Sequence, residues 1–252
     1  MSKPPPTDMP RKMNAMREMA PPGDLVFLVD VDNTLLDNDC VEKDLRRHMV
    51  DAFGREHQER YWQIFEQLRS EVGYADYLGA LQRYRIEYPR DPQLLNISLF
   101  LVNYPFADRL YPHAFDVINR LQQYGVVVIL SDGDVVFQPR KVERSGLWKA
   151  VSGNVLIYVH KELMLDDVEQ RYPAREYVLI DDKVRILTAV KGVWAERVTT
   201  IFPRQGHYAC DSKLVATFPA ADVTIERIGD LLEWDLQTLL KKVGYEEENS
   251  SG

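Results

Sequence analysis

LVFLVDVDNT, residues 25–34, joins a continuous apolar run to a group of acidic and small polar residues. The apolar part, Leu25 to Val29, has the length and composition of a parallel strand that is buried on both faces. The polar part brings two carboxylates, Asp30 and Asp32, to the point where that strand ends. In an open parallel sheet the ligand site lies beyond the carboxyl ends of the strands. The stretch therefore predicts a core strand and the place of a functional site.

Other apolar runs end in the same way. Residues 126–130 are followed by Ser131-Asp132-Gly133, and residues 177–180 are followed by Asp181-Asp182. Two weaker strand candidates follow, residues 198–202 and 223–225. The polar ends of the three strong strands would converge on one edge of a parallel sheet.

Segments with helical periodicity lie between these strands, at residues 113–124, 184–194 and 225–243. Strands that alternate with helices predict an α/β fold, a doubly wound, Rossmann-like parallel sheet covered on both faces. A long, charged stretch rich in aromatic residues at helical spacing interrupts this alternation and predicts an inserted α-helical cap. The predicted domains are an α/β core at 24–35 and 107–245, a helical cap at 36–106, and disordered tails at 1–23 and 246–252.

The composition excludes several classes of protein. Hydrophobic residues make up 45% of the 252 residues, which is ordinary for a globular protein, and the formal net charge is −8. No dense basic block is present, which argues against a nucleic-acid partner. No apolar run approaches the roughly 20 residues that span a bilayer, which argues against a membrane partner. The two cysteines, Cys40 and Cys210, form no CxxC pair, which is typical of a reducing cytoplasm.

The Asp30 and Asp32 pair suits phosphoryl chemistry. One carboxylate can attack a phosphorus atom while the other transfers protons. An anionic nucleophile and a phosphate dianion repel each other, and a divalent metal between them removes that repulsion. Oxygen ligands suit magnesium, and Asp181 and Asp182 would supply further carboxylates. The residues therefore predict a Mg²⁺ cofactor.

Asp30-Val31-Asp32-Asn33-Thr34 resembles the first motif, DxDxT, of the haloacid dehalogenase superfamily, whose members are mostly phosphatases and phosphoryl-transfer enzymes. Three further motifs of that superfamily have matches in the expected order. Ser131 resembles the second-motif Ser or Thr, Lys161 the third-motif lysine, and Asp181-Asp182 the acidic fourth motif. The resemblance covers about residues 24 to 225.

The resemblance implies a role for each matching residue. Asp30 is expected to be the nucleophile and a metal ligand, and Asp32 the general acid and base, with its main-chain carbonyl as a further ligand. Ser131 is expected to bond the phosphoryl group, and Lys161 to neutralise its charge. The remaining expected residues hold the phosphate or the metal: Asn33, Thr34, Asp132 and Gly133 for phosphate, with the amide of Gly133 as a donor, and Asp181 and Asp182 for metal.

The fourth motif departs from the usual pattern of the superfamily. It begins Asp181-Asp182-Lys183, and Arg185 stands where another acid is common. Aligning the following helix puts Asp181 at the main metal position, whereas a register slipped by one puts Asp182 there. Lys183 is likewise an alternative to Lys161 for the phosphate.

The predicted activity is magnesium-dependent hydrolysis of a small phosphate monoester, a metabolite or nucleotide, through an aspartyl-phosphate on Asp30. The alternatives are carbon–halogen hydrolysis, which needs neither a general acid nor a metal, a phosphomutase, and a non-catalytic binding protein that keeps the fold. Asp32 favours phosphoryl chemistry over dehalogenation. The choice of substrate depends on cap contacts that the sequence does not define, and no pattern indicates an oligomeric state.

Overall fold

The structure, a computed structural model, describes residues 23–235. Within that range six parallel strands form one sheet, in the order β3-β2-β1-β4-β5-β6. The strands are β1 Gly23–Val29, β2 Val126–Asp132, β3 Val155–Tyr158, β4 Ala174–Ile180, β5 Val198–Pro203 and β6 Val223–Ile225. This sheet confirms the predicted α/β, doubly wound fold.

Eleven α-helices lie in the same part of the chain. They are α1 Asn38–Phe53, α2 Arg55–Val72, α3 Tyr77–Glu87, α4 Leu94–Asn103, α5 Ala114–Leu121, α6 Phe137–Arg144, α7 Leu147–Ala150, α8 Leu165–Arg171, α9 Val184–Trp194, α10 Gly206–Cys210 and α11 Ser212–Val215. Four 3₁₀ turns complete the regular structure, at Phe106–Arg109, Lys161–Leu163, Ala195–Arg197 and Ile228–Leu232. None of the helices in residues 23–235 combines the length and the apolarity needed to cross a membrane.

Strand β1 lies at the point where the strand order reverses, since β2 precedes it on one side and β4 follows it on the other. Its side chains alternate between the two faces of the sheet. Phe27 and Val29 belong to one apolar cluster, whereas Val26 and Leu28 belong to a second cluster on the opposite face. Helix α5 packs into the first cluster, and helices α8 and α9 pack into the second. Burial on both faces explains why β1 is continuously apolar.

Helices α1 to α4 form a helical insertion, residues 38–103, between β1 and α5. The segment that leaves the core and the segment that returns to it run side by side. Tyr111 N donates to Leu35 O at 2.9 Å, and Asp37 N donates to Arg109 O at 2.8 Å. The insertion shares an apolar cluster with the core and packs Tyr77 against Phe137, with 5.4 Å between ring centroids. These contacts set the insertion against the carboxyl edge of the sheet.

The insertion also meets the core where α2 ends. Gly73 closes that helix with φ +84°, a conformation that favours glycine, and a Cβ there would lie 2.3 Å from the His160 ring. His160 directly precedes Lys161, so this close contact brings α2 next to one of the predicted site residues.

Some predicted elements differ from the structure. Residues 225–243 were predicted to form an α-helix, but their described part contains the end of β6 and the 3₁₀ turn Ile228–Leu232, and residues 236–243 lie outside the described range. Strand β3 was not predicted, because its four residues are too short to give a clear period. The predicted disordered tails lie outside the described residues, except that Gly23 begins β1.

We expect α4 to tolerate the shortening of a side chain on its exposed face but not on its buried face. Leu101 is buried at 1% exposure, whereas Leu99, two residues earlier, is 59% exposed. Leu101→Ala should lower the free energy of unfolding by about 2–5 kcal/mol, because it leaves a cavity in the apolar cluster. Leu99→Ala, the matched control, should change it by less than about 0.5 kcal/mol. Urea denaturation measures both values, and equal losses would contradict the packing described here.

Candidate active site

Three neighbouring strands bring Asp30, Ser131 and Asp181 to one edge of the sheet. The last residue of β1, Val29, is in register with Ile180, the last residue of β4, so Asp30 and Asp181 leave the sheet at the same level. Ser131 stands at the end of β2, on the other side of β1, and its Oγ lies 3.4 Å from Asp30 Oδ1. The sequence prediction that these strand ends converge is met by the geometry.

Lys161 joins the same group from the 3₁₀ turn that follows β3. Its ammonium Nζ lies 2.6 Å from Asp30 Oδ1 and 2.6 Å from Asp181 Oδ2, and it donates to Leu130 O at 3.1 Å. Burial disfavours its charge, but the attraction of Asp181 and Asp30 outweighs burial and raises the pKa of Lys161 well above its usual range. Lys161 is therefore a fixed cation against the predicted nucleophile.

Asp30, Asp181 and Asp182 form a buried carboxylate cluster, in which one oxygen of each lies within 4.8 Å of the others. Asp30 Oδ2 and both carboxylate oxygens of Asp182 have no hydrogen-bond partner among residues 23–235. Buried charged oxygens without donors are costly. A divalent cation bound by these oxygens would remove that cost, so the residues present fit a metal site.

The two candidate fourth-motif acids differ in their contacts. Asp181 Oδ1 accepts from the Lys183 amide at 2.8 Å, and its Oδ2 lies 2.6 Å from the Lys161 ammonium in an ion pair without hydrogen-bond geometry. Asp182 has both oxygens free of donors from the described residues. Burial raises the pKa of both carboxyls, that of Asp182 well above its usual range. Both candidates for the metal position of the fourth motif therefore lie in the cluster. Asp182 is the one whose two oxygens have no donor among the described residues.

Lys183 does not contact the nucleophile as Lys161 does. It lines the cavity described below, and its Nζ lies 5.4 Å from the centroid of the Tyr208 ring. Burial opposes its charge, but attraction to Asp182 and Asp30 outweighs burial and raises the pKa of Lys183. By direct contact, Lys161 is the lysine of the Asp30 site.

Asp32 lies outside the carboxylate cluster and pairs with a lysine that the sequence did not single out. Lys141, on α6, donates from Nζ to Asp32 Oδ1 at 2.6 Å and to Oδ2 at 2.8 Å. The same ammonium donates to Asn38 Oδ1 at 2.9 Å. The Asp32 side chain is 25% exposed and lines the cavity, so it faces the space that a substrate would occupy.

The second motif is held by α6 as well. Gln138 Nε2 donates to Ser131 Oγ at 3.0 Å and lies 3.4 Å from Asp32 Oδ2. A Cβ on Gly133 would lie 2.7 Å from Gln138 Cβ, so glycine makes room for this side chain. The Gly133 amide donates to Tyr158 O at 2.9 Å. This amide hydrogen is therefore already bonded to β3, and the predicted contact of Gly133 with phosphate stays a prediction.

Asn33, Thr34 and Asp132 use their side chains to fix neighbouring backbone. Asn33 adopts φ +60°, and its Oδ1 accepts from the amides of Asn38 and Asp39 at 3.0 and 3.2 Å. Thr34 Oγ1 accepts from the Asp182 amide at 3.1 Å. Asp132 Oδ1 accepts from the Lys161 amide at 2.8 Å, and burial raises the pKa of its carboxyl. All three therefore shape the site, and their predicted contact with phosphate stays a prediction.

A cavity of about 360 Å³ opens between the helical insertion and the carboxyl edge of the sheet. Its lining combines acids of the site with aromatic and basic side chains: Asp32, Asp132 and Asp182, then Phe65, Arg69, Tyr74 and Tyr77 from the insertion, and Lys141, Lys183, Arg185, His207, Tyr208 and Phe218 from the core. His207 Nδ1 lies 2.6 Å from Asp39 Oδ1, which links α10 to α1. The cavity is therefore enclosed by both parts of the chain.

Four residues that support the site were not predicted from the sequence: Lys141, Gln138, Asn38 and Gln205. Lys141 and Gln138 lie on one face of α6, three residues apart, but no apolar periodicity marked that helix. Gln205, after β5, donates from Nε2 to Thr34 O at 3.1 Å and so supports the first-motif loop. Its position just after β5 could have marked it as a site residue, because residues 198–202 are a strand candidate in the sequence.

A model of the haloacid dehalogenase-like hydrolase family matches residues 25–193. No curated protein matches the sequence. Among solved structures, a haloacid dehalogenase-like hydrolase of Burkholderia xenovorans LB400 is 64% identical, with a TM-score of 0.82 over 85% of this chain and 100% of that chain.

More distant structures share the fold. The HAD-hydrolase YfnB of Bacillus subtilis, in a structure bound to magnesium, is 18% identical with a TM-score of 0.57, over 83% of this chain and 97% of its own. The L-2-haloacid dehalogenase of Xanthobacter autotrophicus, with chloropropionic acid covalently bound, is 17% identical with a TM-score of 0.53, over 82% and 96%. With the family match over most of the chain, these findings show that the chain belongs to the haloacid dehalogenase-like hydrolases.

Proposed function

We propose that this hydrolase is a magnesium-dependent phosphatase that cleaves a small phosphate monoester, with Asp30 as nucleophile and Asp32 as general acid and base. The observation that carries the proposal is Asp32, which lines the cavity two residues after Asp30. Departure of an alkoxide from phosphorus needs a proton, whereas departure of a halide from carbon does not. A carboxyl group at this position therefore supports phosphoryl chemistry.

The proposed reaction has two steps. A carboxylate oxygen of Asp30 attacks phosphorus, the bond between phosphorus and the leaving oxygen breaks, and Asp32 gives that oxygen a proton. Asp32 then takes a proton from a water molecule whose oxygen attacks phosphorus, which releases inorganic phosphate and restores Asp30. Lys161 holds Asp30 Oδ1 and places a positive charge beside the phosphoryl group.

The carboxylates of Asp30, Asp181 and Asp182 are the proposed ligands of Mg²⁺, and the family resemblance adds the main-chain carbonyl of Asp32. When bound, the cation would neutralise the negative charge of the Asp30 carboxylate and the phosphate. The oxygens without donors on Asp30 and Asp182 support this assignment. We also propose a cytoplasmic location, which the free thiols of Cys40 and Cys210 support.

The proposed substrate is a small phosphorylated metabolite or nucleotide. A cavity of about 360 Å³ suits a small molecule. Its insertion side presents aromatic rings such as Tyr74 together with Arg69, whose guanidinium carbon lies 5.7 Å from the centroid of the Tyr208 ring. Aromatic rings and cations around one cavity support a substrate whose leaving group carries negative charge and a planar or apolar part. We propose that the protein binds neither nucleic acid nor a membrane.

Carbon–halogen hydrolysis is the second candidate. Asp30, Lys161 and Ser131 would serve an aspartate nucleophile that attacks carbon as well as one that attacks phosphorus. The L-2-haloacid dehalogenase of Xanthobacter autotrophicus, which shares this fold, supports this candidate. The two candidates differ in their need for Asp32 and for metal.

We expect Asp30→Asn to abolish hydrolysis of p-nitrophenyl phosphate in the presence of magnesium. The amide is a poor nucleophile, so kcat should fall roughly a thousandfold or more. The control is Asp51→Asn, at an exposed position of α1, which should keep wild-type turnover. If Asp30→Asn keeps full activity, or if the wild type hydrolyses no member of a broad panel of phosphate monoesters, the proposal fails.

We expect magnesium to raise the free energy of unfolding, by about 2.7 kcal/mol at a hundredfold excess over its Kd. Asp182→Asn should remove most of this gain because it removes a ligand charge. Asp134→Asn should keep the gain, because that side chain lies outside the cluster and accepts from the amides of Val136 and Phe137 at the start of α6. Thermal unfolding with and without magnesium measures the effect, and an equal shift in all three proteins would contradict the site.

The magnesium effect should also depend on pH. Burial raises the pKa of Asp181 and Asp182, so both carboxyls keep protons at higher pH in the folded metal-free protein than in the unfolded chain. The metal-free protein should therefore lose stability as pH rises above about 4, the usual value for aspartate. Protons compete with metal, so the gain from magnesium should be larger at pH 8 than at pH 5.5. A gain independent of pH would contradict carboxylate ligands.

A direct comparison separates the two candidate reactions. Phosphate release from p-nitrophenyl phosphate should require magnesium and stop with a chelator. Chloride release from L-2-chloropropionate should be absent under both conditions. Chloride release that persists with the chelator, without phosphatase activity, would overturn the proposal in favour of dehalogenation.

A further inference from the structure

Lys141 is a buried cation with every hydrogen already used. Its side chain is 1% exposed, and its Nζ donates to Asp32 Oδ1, Asp32 Oδ2 and Asn38 Oδ1 at 2.6, 2.8 and 2.9 Å. An ammonium group has three hydrogens, so these three acceptors satisfy it completely. Lys141 therefore has no free donor for a substrate unless one of these contacts breaks.

The surroundings of Lys141 hold it in one place. It lies one turn after Gln138 on α6, and Gln138 bonds Ser131 and approaches Asp32. Its third acceptor, Asn38, is the first residue of α1, and the amide of Asn38 donates to Asn33 Oδ1. The ammonium is thus packed between α6, the first-motif loop and the start of the helical insertion.

Asp32 has the opposite character, since its carboxylate is the partly exposed member of the pair and lines the cavity. A carboxylate on a loop can take several rotamers, and proton transfer to a leaving oxygen requires one of them. The contact of Lys141 with both Asp32 oxygens restricts the rotamers that Asp32 can take. Removing one partner of a buried ion pair leaves the other without compensation, so the Asp32 carboxylate would turn toward solvent.

We propose that Lys141 is the positioning residue of the general acid and base: it fixes the Asp32 carboxylate toward the leaving oxygen and does not itself bind the phosphoryl group. The inference rests on the proposed phosphatase function. Lys161 by contrast contacts Asp30, so the two buried lysines divide the site between the nucleophile and the proton-transfer group.

The test compares two esters that differ in their need for a proton. The leaving group of p-nitrophenyl phosphate departs as a stable anion, whereas benzyl phosphate, of similar size, releases an alkoxide that must be protonated. The value of kcat/KM reports the steps through loss of the leaving group, and the ratio of the two kcat/KM values in one preparation does not depend on the folded fraction. The ratio therefore isolates proton transfer from stability.

We expect Lys141→Met to lower kcat/KM for benzyl phosphate about 100-fold, the scale of general acid catalysis, and to lower that for p-nitrophenyl phosphate less than about fivefold. Lys141→Gln, which keeps an N–H donor but no charge, should give an intermediate ratio. Lys149→Met, at an exposed lysine of α7, is the matched control and should keep the wild-type ratio.

Asp32→Asn shows whether Lys141 acts through Asp32. That variant should shift the ratio in the same direction, and adding Lys141→Met to it should change the ratio less than about twofold, because residues that act as a unit are not additive. Equal losses for both esters, or a full further loss in the double variant, would overturn the inference alone. A wild type inactive on both esters would overturn the proposed function and the inference with it.

Discussion

The buried ammonium of Lys161 joins the ends of neighbouring strands at the centre of the site. It contacts Asp30 after β1, Asp181 after β4 and the carbonyl of Leu130 in β2. Its own backbone is fixed by Asp132, so the turn after β3 is tied to the same edge of the sheet. A cation 1% exposed is tolerable only beside such partners, and the carboxylates in turn need it. These residues can meet because β1 lies at the point where the strand order of the parallel sheet reverses.

The charges around Lys161 do not balance within the cluster. Asp30, Asp181 and Asp182 contribute three carboxylates, and Asp182 keeps both oxygens without donors among the described residues. Burial raises the pKa of its carboxyl, which shows the cost of holding that charge away from water. A divalent cation bound by these oxygens would remove that cost. Asp32 stays outside this cluster because Lys141 holds it at the cavity wall.

The fold was predictable because β1, β2 and β4 are apolar on both faces and end in polar residues, a pattern that buried parallel strands impose. Strand β3 and helix α6 were not predictable, since a four-residue edge strand and an eight-residue charged helix carry little periodicity. Asp30, Ser131 and Asp181-Asp182 could be found because each stands at the end of a predicted strand, whereas Lys161 was found through its resemblance to the third motif. Lys141 could not, because its role depends on a contact with Asp32 across 109 residues of sequence.

In the proposed reaction, Asp30 carries the phosphoryl group during turnover. Mass spectrometry of the protein, after rapid acid quenching during hydrolysis of p-nitrophenyl phosphate, would detect this group. We expect one phosphoryl group on the peptide that contains Asp30, labile to hydroxylamine as an acyl phosphate, and absent from Asp30→Asn. A phosphoryl group on another residue, or active turnover with no covalent species at the shortest quench times, would contradict it.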